Sequence, residues 1–326
     1  MKVLVTGGAG FIGSHLAEAL VQRGDSVVAL DDLSTGRREN VAAVESSGRF
    51  RFVEGSCLDP RNVDRLTGEC DLVVHLAAAV GVRLIVERPV HTIETNVRAT
   101  EIVLEAAARR GKPAVIASTS EVYGKSSKVP FLEEDDISLG PTSRSRWAYA
   151  CSKALDEWLA LAYVAERSAE VVIVRFFNTV GPRQTGRYGM VLPNFARQAL
   201  LGEPITVYGD GNQSRCFGHV KDAVEALLRL AETPSARGRV FNVGNDEEVS
   251  ILELAKRVRD AAGSRSDIVL VPYDQAYAAG FEDMPRRVPD LTRLETTCGF
   301  RPRTPLSVII ADVLADQRAR LESGRE

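Results

Sequence analysis

The amino-acid sequence predicts an α/β fold in which a doubly wound parallel sheet is followed by a smaller C-terminal lobe. Short apolar segments alternate with helical patterns through the first half of the chain. Nearly continuous apolar strands of this kind are typical of a parallel sheet that helices cover on both faces. A glycine-rich turn joins the first strand to the first helix, and a loop-rich stretch after Asn178 marks the beginning of the second lobe.

The elements of the first domain follow one another in a regular order. An apolar period near 3.6 residues predicts helices over residues 11–23 and 89–110. We expect residues 1–177 to form the first domain, with the segment 216–240 packing back on it. Residues 178–326 then form most of a substrate-binding lobe. Strands are predicted at residues 2–6, 26–32, 49–55, 70–78, 113–120 and 170–178.

Composition excludes several classes of function. The 326 residues carry a formal net charge of −3, so the basic excess of a nucleic-acid-binding protein is absent. No apolar run approaches the ~20 residues of a membrane span. The four histidines show no ligand spacing, so no metal is expected. Five scattered cysteines without a C-x-x-C pair favour free thiols and a cytoplasmic protein.

The glycine-rich turn indicates a dinucleotide site. Gly7, Gly10 and Gly13 stand between a strand and a helix, where a tight turn brings backbone amides of the helix N-terminus to a pyrophosphate. An acid is expected about 20 residues further on, and Asp31 ends the second predicted strand. Its carboxylate would hold a ribose hydroxyl and repel a 2′-phosphate, which favours NAD. Nearby Arg37 and Arg38 keep NADP open.

The fifth predicted strand ends in polar residues. The sequence STSEVYG begins at Ser118 and places Thr119, Ser120 and Glu121 directly after an apolar run. Ligands of α/β proteins bind at the carboxyl ends of the strands. We therefore expect these side chains to face a ligand, although Glu121 could also bond only backbone near a helix start.

A tyrosine and a lysine lie one helical turn apart in the sequence YACSK. Tyr149 and Lys153 share a helix face because they are four residues apart. The ordinary pKa of tyrosine, about 10, makes it a poor base at neutral pH. A neighbouring ammonium favours the phenolate, so Tyr149 is a candidate general base for a substrate hydroxyl. A plain surface pair is the alternative.

Together these motifs resemble the extended short-chain dehydrogenase/reductase family, which includes NAD-dependent nucleotide-sugar epimerases, dehydratases and decarboxylases. The resemblance extends over the chain and includes TGGAGFIGSH, LDDLSTG, STSEVYG, YACSK, RFFNTVGPR, VYGDG and RRVPD. It implies a Rossmann domain, a small lobe that binds a nucleotide sugar, NAD as cofactor, and a homodimer formed through the helices that begin near Pro89 and Trp147.

The resemblance also implies site residues. Thr119 would bond the 4-hydroxyl of the sugar, and Lys153 the nicotinamide ribose. Two departures, Ser56 in place of an Asp and Asp32 in place of an Asn, concern contacts to adenosine. The implied cofactor-binding residues are Gly7, Gly10, Phe11, Ile12, Gly13, Asp31, Ser34, Thr35, Gly36, Ser56, Cys57, Leu76, Ala77, Ala78, Asn96, Tyr149 and Lys153. The implied substrate-binding residues are Val80, Thr119, Asn178, Arg183, Val191, Leu192, Thr206, Tyr208, Arg215 and Arg287.

The residues after Thr119 bear on the reaction. In this family a 4-keto sugar forms first, and it can then be reduced again, lose water or lose carbon dioxide. Thr119, Ser120 and Glu121 resemble the Thr-Ser-Glu triplet of UDP-glucuronate decarboxylases and of GDP-mannose dehydratases, and an acid there suits work at carbon 5 of the sugar. An arginine matching Arg287 lies near the reacting carboxylate in that family. Arg144 and Arg146 are further candidates for an anionic substrate, or else belong to a solvated loop.

We therefore predict decarboxylation of UDP-glucuronate, with Thr119, Ser120, Glu121, Tyr149 and Lys153 as the catalytic set. A UDP-sugar 4-epimerase is the main alternative. A catalytically idle NAD-binding regulator is an alternative of a different class, although the complete set of catalytic residues argues against it.

Overall fold

The protein is described here by a computed structural model that covers residues 1–80, 88–186, 190–276 and 284–324. The strands of the described residues are β1 (Lys2–Thr6), β2 (Ser26–Asp31), β3 (Phe50–Glu54), β4 (Leu72–His75), β5 (Ala114–Thr119), β6 (Val171–Phe176), β7 (Thr179–Val180), β8 (Ile205–Tyr208), β9 (Ser214–Cys216), β10 (Gly218–His219), β11 (Arg239–Val243), β12 (Glu248–Ser250), β13 (Ile268–Val271) and β14 (Arg286–Arg287). Seven of these strands form the central parallel sheet, in the order β11-β6-β5-β4-β1-β2-β3.

Helices cover both faces of this sheet, as a parallel sheet requires. Helices at Pro89–Arg110 and Phe11–Arg23 confirm the sequence prediction. The helices of the described residues are α1 (Phe11–Arg23), α2 (Ala42–Glu45), α3 (Pro60–Gly68), α4 (Pro89–Arg110), α5 (Arg146–Arg167), α6 (Val191–Leu201), α7 (Val220–Glu232), α8 (Ile251–Ala261), α9 (Tyr273–Ala276), α10 (Thr292–Cys298) and α11 (Leu306–Glu322).

Two apolar clusters hold the sheet between its helices. Side chains alternate along a strand, so Leu4 packs into the cluster with α3 and α4, whereas Val3 and Val5 pack into the cluster with α1 and α7. All three side chains are fully buried. Residues of β1 are therefore packed on both faces of the sheet, which holds this central strand in place. The glycine-rich turn follows directly from it.

Part of the C-terminal half belongs to the central sheet. β11 pairs in parallel with β6, and α7 packs against α1 and strands β5 and β6. The sequence analysis had assigned no strand to residues 239–243. The remaining C-terminal elements form a third apolar cluster, to which α6, α8 and α11 contribute. Among the described helices, none combines the length and apolar character of a membrane span.

The parallel order brings several strand ends to one edge of the sheet. β1 runs into the glycine-rich turn, β2 ends at Asp31, and β5 ends at Thr119. β1 pairs with β2 and β4, and β4 pairs with β5, so these ends lie side by side. The same edge faces the C-terminal lobe across a large cavity, described next.

Candidate active site

A cavity of about 1320 Å³ lies at the carboxyl edge of the sheet. Its wall combines the glycine-rich turn, the ends of β2 and β5, the start of α5 and the strands of the C-terminal lobe. All but two of the predicted site residues line it; the two exceptions are Gly36 and Asn96. The predicted cofactor and substrate regions are therefore two parts of one continuous space.

The glycine-rich turn can be this tight because its key positions carry no Cβ. Gly7 has φ +70°, and a Cβ on Gly13 would lie 2.1 Å from the carbonyl oxygen of Gly7. The first turn of α1 begins at Gly10 without a side-chain cap and without an acidic residue. Its amides and the positive end of the helix dipole therefore suit a pyrophosphate. These features fit a dinucleotide.

Asp31 closes the other side of the cofactor region. Its carboxylate accepts hydrogen bonds from the amides of Ala9 at 2.9 Å and Leu33 at 2.9 Å, which fixes its orientation toward the cavity. Two arginines keep NADP open in the sequence. Arg38 is paired with Glu45 and stacks on the ring of Phe52, whereas Arg37 lines the cavity and pairs with Glu39 at 3.4 Å. A 2′-phosphate would therefore meet the Asp31 carboxylate, which favours NAD.

Replacing Asp31 by Ala is expected to weaken NAD binding. The loss of a charge-assisted hydrogen bond costs about 1.5–3 kcal/mol, which corresponds to roughly tenfold to hundredfold weaker affinity. Calorimetric titration with NAD and NADP would measure this change, and the preference for NAD should fall as well. Arg38→Ala is the control, because Arg38 does not line the cavity. An Asp31→Ala variant with unchanged NAD affinity would contradict the assignment.

Asn96 and Gly36 support the cofactor region from behind. The amide of Asn96 is buried and bonds the backbone of Ala79 at 2.8 Å and the hydroxyl of Ser152 at 3.3 Å. Its side chain holds the segment after β4 to α5, and the cofactor contact that the resemblance implies for Asn96 stays a prediction. Gly36 packs against Asp31, where a Cβ would lie 2.8 Å from the carboxylate.

Tyr149 and Lys153 lie in the middle of the cavity wall, on one face of α5. The hydroxyl of Tyr149 lies near that of Thr119, which ends β5. Burial raises the pKa of Tyr149 well above its ordinary value, and the charges of Glu121 and Asp156 raise it further. The ammonium of Lys153 donates to Asp156 at 2.6 Å. Thr119 and Tyr149 thus place two hydroxyl groups side by side in the cavity wall, where both could hydrogen-bond one hydroxyl of a substrate.

Glu121 is held between two buried arginines. Arg287 of β14 lies 2.7 Å from one carboxylate oxygen, and Arg146, the first residue of α5, pairs with the other. Burial raises the pKa of Glu121, but the attraction of Arg287 and Arg146 outweighs it and lowers the pKa to about 2. Glu121 is therefore a carboxylate at neutral pH. An ionised carboxylate can accept a proton but has none to donate, and the work of Glu121 at carbon 5 that the sequence suggests stays a prediction.

Arg146 is a site residue that the predicted set left out. The sequence SRSRW allowed a solvated loop, whereas the side chain of Arg146 is 3% exposed. Its position at the start of α5, three residues before Tyr149, was the signal available in the sequence. Arg144, two residues earlier, is exposed and lines the cavity.

The remaining substrate residues come from the C-terminal lobe and its entry. Asn178 donates to the carbonyl of Cys216 at 3.0 Å, and Thr206 accepts from Gln198 at 2.9 Å. The guanidinium of Arg183 reaches α1 and bonds Ser14 at 3.2 Å, so it joins the substrate loop to the cofactor helix. The other lining residues that were predicted are Phe11, Ile12, Ser34, Thr35, Ser56, Cys57, Leu76, Ala77, Ala78, Val80, Ser120, Val191, Leu192, Tyr208 and Arg215.

Several side chains near the site have structural roles. Trp147 and Tyr123 pack with Phe131 in an apolar cluster beneath it. Cys151, between Tyr149 and Lys153 in the sequence, lies on the outer face of α5 and is exposed. His219 caps α7 by accepting from the amide of Lys221 at 3.0 Å.

Known proteins resemble this chain over nearly its whole length. Residues 3–244 match the model of the NAD dependent epimerase/dehydratase family. A UDP-N-acetyl-alpha-D-glucosaminuronate decarboxylase of Bacillus cytotoxicus is 44% identical over 302 residues, which cover 92% of each chain. UDP-glucuronic acid decarboxylase 2 of Arabidopsis thaliana is 37% identical over 98% of this chain and 69% of the relative.

Solved structures agree with this relationship. A UDP-glucose 4-epimerase from Thermotoga maritima superposes with a TM-score of 0.88 at 28% identity, covering 98% of this chain and 100% of that one. A dTDP-glucose 4,6-dehydratase from Streptomyces venezuelae, solved with NAD bound, gives 0.89 at 29% identity, covering 100% and 99%. The cofactor of this enzyme is NAD, and the chain belongs to the NAD dependent epimerase/dehydratase family.

Proposed function

We propose that this enzyme decarboxylates a UDP-linked hexuronate through a 4-keto intermediate, with UDP-glucuronate as the expected substrate. The arrangement of Arg146, Glu121 and Arg287 carries the proposal. Two buried guanidinium groups face one carboxylate, so this part of the wall keeps one net positive charge. A substrate carboxylate would balance that charge, since buried charges need a partner. A neutral hydroxymethyl group would leave it unbalanced.

The first step is the oxidation of carbon 4. Tyr149 takes the proton of the 4-hydroxyl, and Thr119 orients that hydroxyl through its contact with Tyr149. Lys153 provides a cation on the same helix face, which favours the phenolate. The glycine-rich turn and Asp31 would hold NAD, which when bound would supply the hydride acceptor for this step.

The second step needs little from the protein beyond electrostatics. Once carbon 4 is a ketone, the bond between carbons 5 and 6 breaks, and its electron pair moves to the carbonyl oxygen. Thr119 and Tyr149 stabilise the charge on that oxygen. Glu121 keeps Arg146 and Arg287 in place around the carboxylate that leaves as carbon dioxide. Carbon 5 then takes a proton, for which the protonated Tyr149 is a better source than the ionised Glu121.

The names of two relatives support two hexuronates as candidate substrates. The 44% identical relative is named for a UDP-linked N-acetylglucosaminuronate, and a 37% identical relative for UDP-glucuronic acid. A second candidate is therefore the decarboxylation of the 2-acetamido hexuronate. Both candidates place the same carboxylate against Arg146 and Arg287.

Nuclear magnetic resonance of the products tests the proposal. The enzyme loaded with NAD is offered UDP-glucuronate, UDP-N-acetylglucosaminuronate and UDP-glucose in separate reactions. We expect a UDP-pentose or its 4-ketone from a uronate and little turnover of UDP-glucose. A 4-epimer as the main product from any of them would contradict the proposal.

We also propose a cytoplasmic homodimer formed through α4 and α5. These helices pack against each other, and their outer faces leave Ile93 and Trp158 exposed, Trp158 by 58%. Exposed apolar side chains of this size favour an interface. The free cysteines agree with a reducing compartment.

The substitution Trp158→Lys is expected to convert the dimer to a monomer. The added charge would be buried in the proposed interface without a partner, which disfavours association. Light scattering at several concentrations measures the mass, and Val308→Lys, at an exposed apolar position on α11, is the control. A wild-type protein that is monomeric at all concentrations would contradict the proposed dimer.

A further inference from the structure

A buried carboxylate lies behind Lys153 and has no role in the mechanism above. Asp156 stands on α5, three residues after Lys153, and is 0% exposed. Its Oδ2 atom accepts from the ammonium of Lys153 at 2.6 Å, and the Lys153 side chain is itself 3% exposed. Such a pair in the interior, away from water, interacts far more strongly than one on the surface.

Apart from Glu157, which follows Asp156 on α5, the polar groups near this pair are neutral. The hydroxyl of Thr100 lies near Asp156 and 3.4 Å from the ring of His75, whose other nitrogen lies 2.7 Å from Thr6. Burial lowers the pKa of His75 to about 3, and the charge of Lys153 acts in the same direction. His75 is therefore uncharged at neutral pH, and Asp156 supplies the negative charge next to Lys153.

Tyr149 lies between two carboxylates on different sides. Glu121 faces it from the turn after β5, together with Arg146 and Arg287, and Asp156 faces it from its own helix. The charge of Glu121 is balanced by the two arginines. The charge of Asp156 instead offsets the ammonium of Lys153, the cation expected to favour the phenolate of Tyr149.

We propose that Asp156 is a positioning residue that holds the ammonium of Lys153 and limits how strongly this cation stabilises the phenolate of Tyr149. The inference rests on the proposed roles of Tyr149 and Lys153. Asp156 contacts neither the cavity nor the substrate, since it does not belong to the cavity wall. It acts on Tyr149 through its pair with Lys153 and through its own negative charge.

The substitution Asp156→Asn tests this inference while keeping the shape of the side chain. Removing a negative charge near Tyr149 favours its phenolate, so its titration should move to lower pH by about one unit. We would titrate the NAD-loaded protein and follow the ultraviolet absorbance of tyrosinate. Subtracting the same titration of the Tyr149→Phe background isolates Tyr149. The rising limb of kcat against pH should move by the same amount.

A neighbouring carboxylate provides the matched control. Glu157 follows Asp156 on α5 and is also buried, but it pairs with Arg175 at 2.7 Å and not with Lys153. Glu157→Gln should therefore leave the titration of Tyr149 unchanged. If Asp156→Asn does not fold, Asp156→Ala removes the same charge without burying an amide, and its thermal unfolding shows whether it is native.

The outcomes separate this inference from the proposed function. A folded Asp156 variant with an unshifted or upward-shifted Tyr149 titration would overturn the role of Asp156. An equal shift in Glu157→Gln would overturn it too, because the effect would then come from helix α5 in general. If the wild-type enzyme turned over no uronate, the proposed function would fail, while the spectroscopic titration would still decide the coupling between Asp156 and Tyr149.

Discussion

Replacing Tyr149 by Phe is expected to lower turnover about a thousandfold, within the range for the loss of a general base. The phenol is the group that takes the proton of the 4-hydroxyl, and the neighbouring Thr119 has an ordinary alcohol that cannot replace it. Binding should change little, because the ring remains. Measurement of kcat and KM with the substrate found for the wild type separates the two effects.

Tyr123→Phe is the matched control for this experiment. Tyr123 lies on the turn that follows Thr119, but its hydroxyl donates to Asn242 at 2.7 Å and it does not line the cavity. Its loss should cost about 1 kcal/mol of stability and leave kcat near the wild-type value. The loss of one ordinary hydrogen bond lowers a rate by about tenfold at most. A Tyr149→Phe enzyme that kept a tenth or more of the activity would therefore contradict the assignment of Tyr149 as the general base.

The substitution Glu121→Gln is expected to slow the release of carbon dioxide about a hundredfold, the order found for one misplaced electrostatic group. Without Glu121, the guanidinium groups of Arg146 and Arg287 can pair directly with the substrate carboxylate. Such charge-assisted pairs stabilise the bound substrate more than the transition state, in which that charge is lost.

Oxidation at carbon 4 should survive in the Glu121→Gln variant. Burial is the largest cause of the raised pKa of Tyr149, and the negative charge of Glu121 is the next largest. Removing the charge of Glu121 therefore favours the phenolate of Tyr149. The 4-keto uronate should accumulate together with reduced nicotinamide, which is followed by absorbance. Glu248→Gln is the control, since it removes a similar pair with Arg286 outside the cavity. Unchanged carbon dioxide release would refute the role of Glu121.

The sequence predicted the central sheet well because local patterns determine it. Each of the first six strands is an apolar run between turn residues, and the structure places all six within a few residues of the predicted bounds. The seventh strand, Arg239–Val243, was not predicted. It pairs with β6 only after the chain has passed through the second lobe, and no local pattern reports such a pairing.

The candidate site was predictable where one short segment carries it. The glycine-rich turn, Asp31, Thr119 and the helix with Tyr149 all line the cavity. The cluster around Glu121 was harder to predict from the sequence, because Arg287 belongs to β14, far along the chain from Glu121. Its effect on the pKa of Glu121 depends on burial, which turns an expected acid into a carboxylate.

Asn96 makes contacts that the sequence does not predict. Its amide bonds the backbone of Ala79 and the hydroxyl of Ser152, so it supports the segment after β4. Both contacts come from tertiary packing, which residue type alone does not report. The cofactor contact that the resemblance implies for Asn96 stays a prediction.

The most direct test of the central claim follows carbon 6 of the substrate. UDP-glucuronate labelled at carbon 6 is incubated with the NAD-loaded enzyme, and the label is traced between carbon dioxide and the sugar. The charge cluster of Arg146, Glu121 and Arg287 predicts that the label appears in carbon dioxide while a UDP-pentose or its 4-ketone forms. Label retained in a UDP-galacturonate product would contradict the account, and would make the enzyme an epimerase whose arginines only bind the carboxylate.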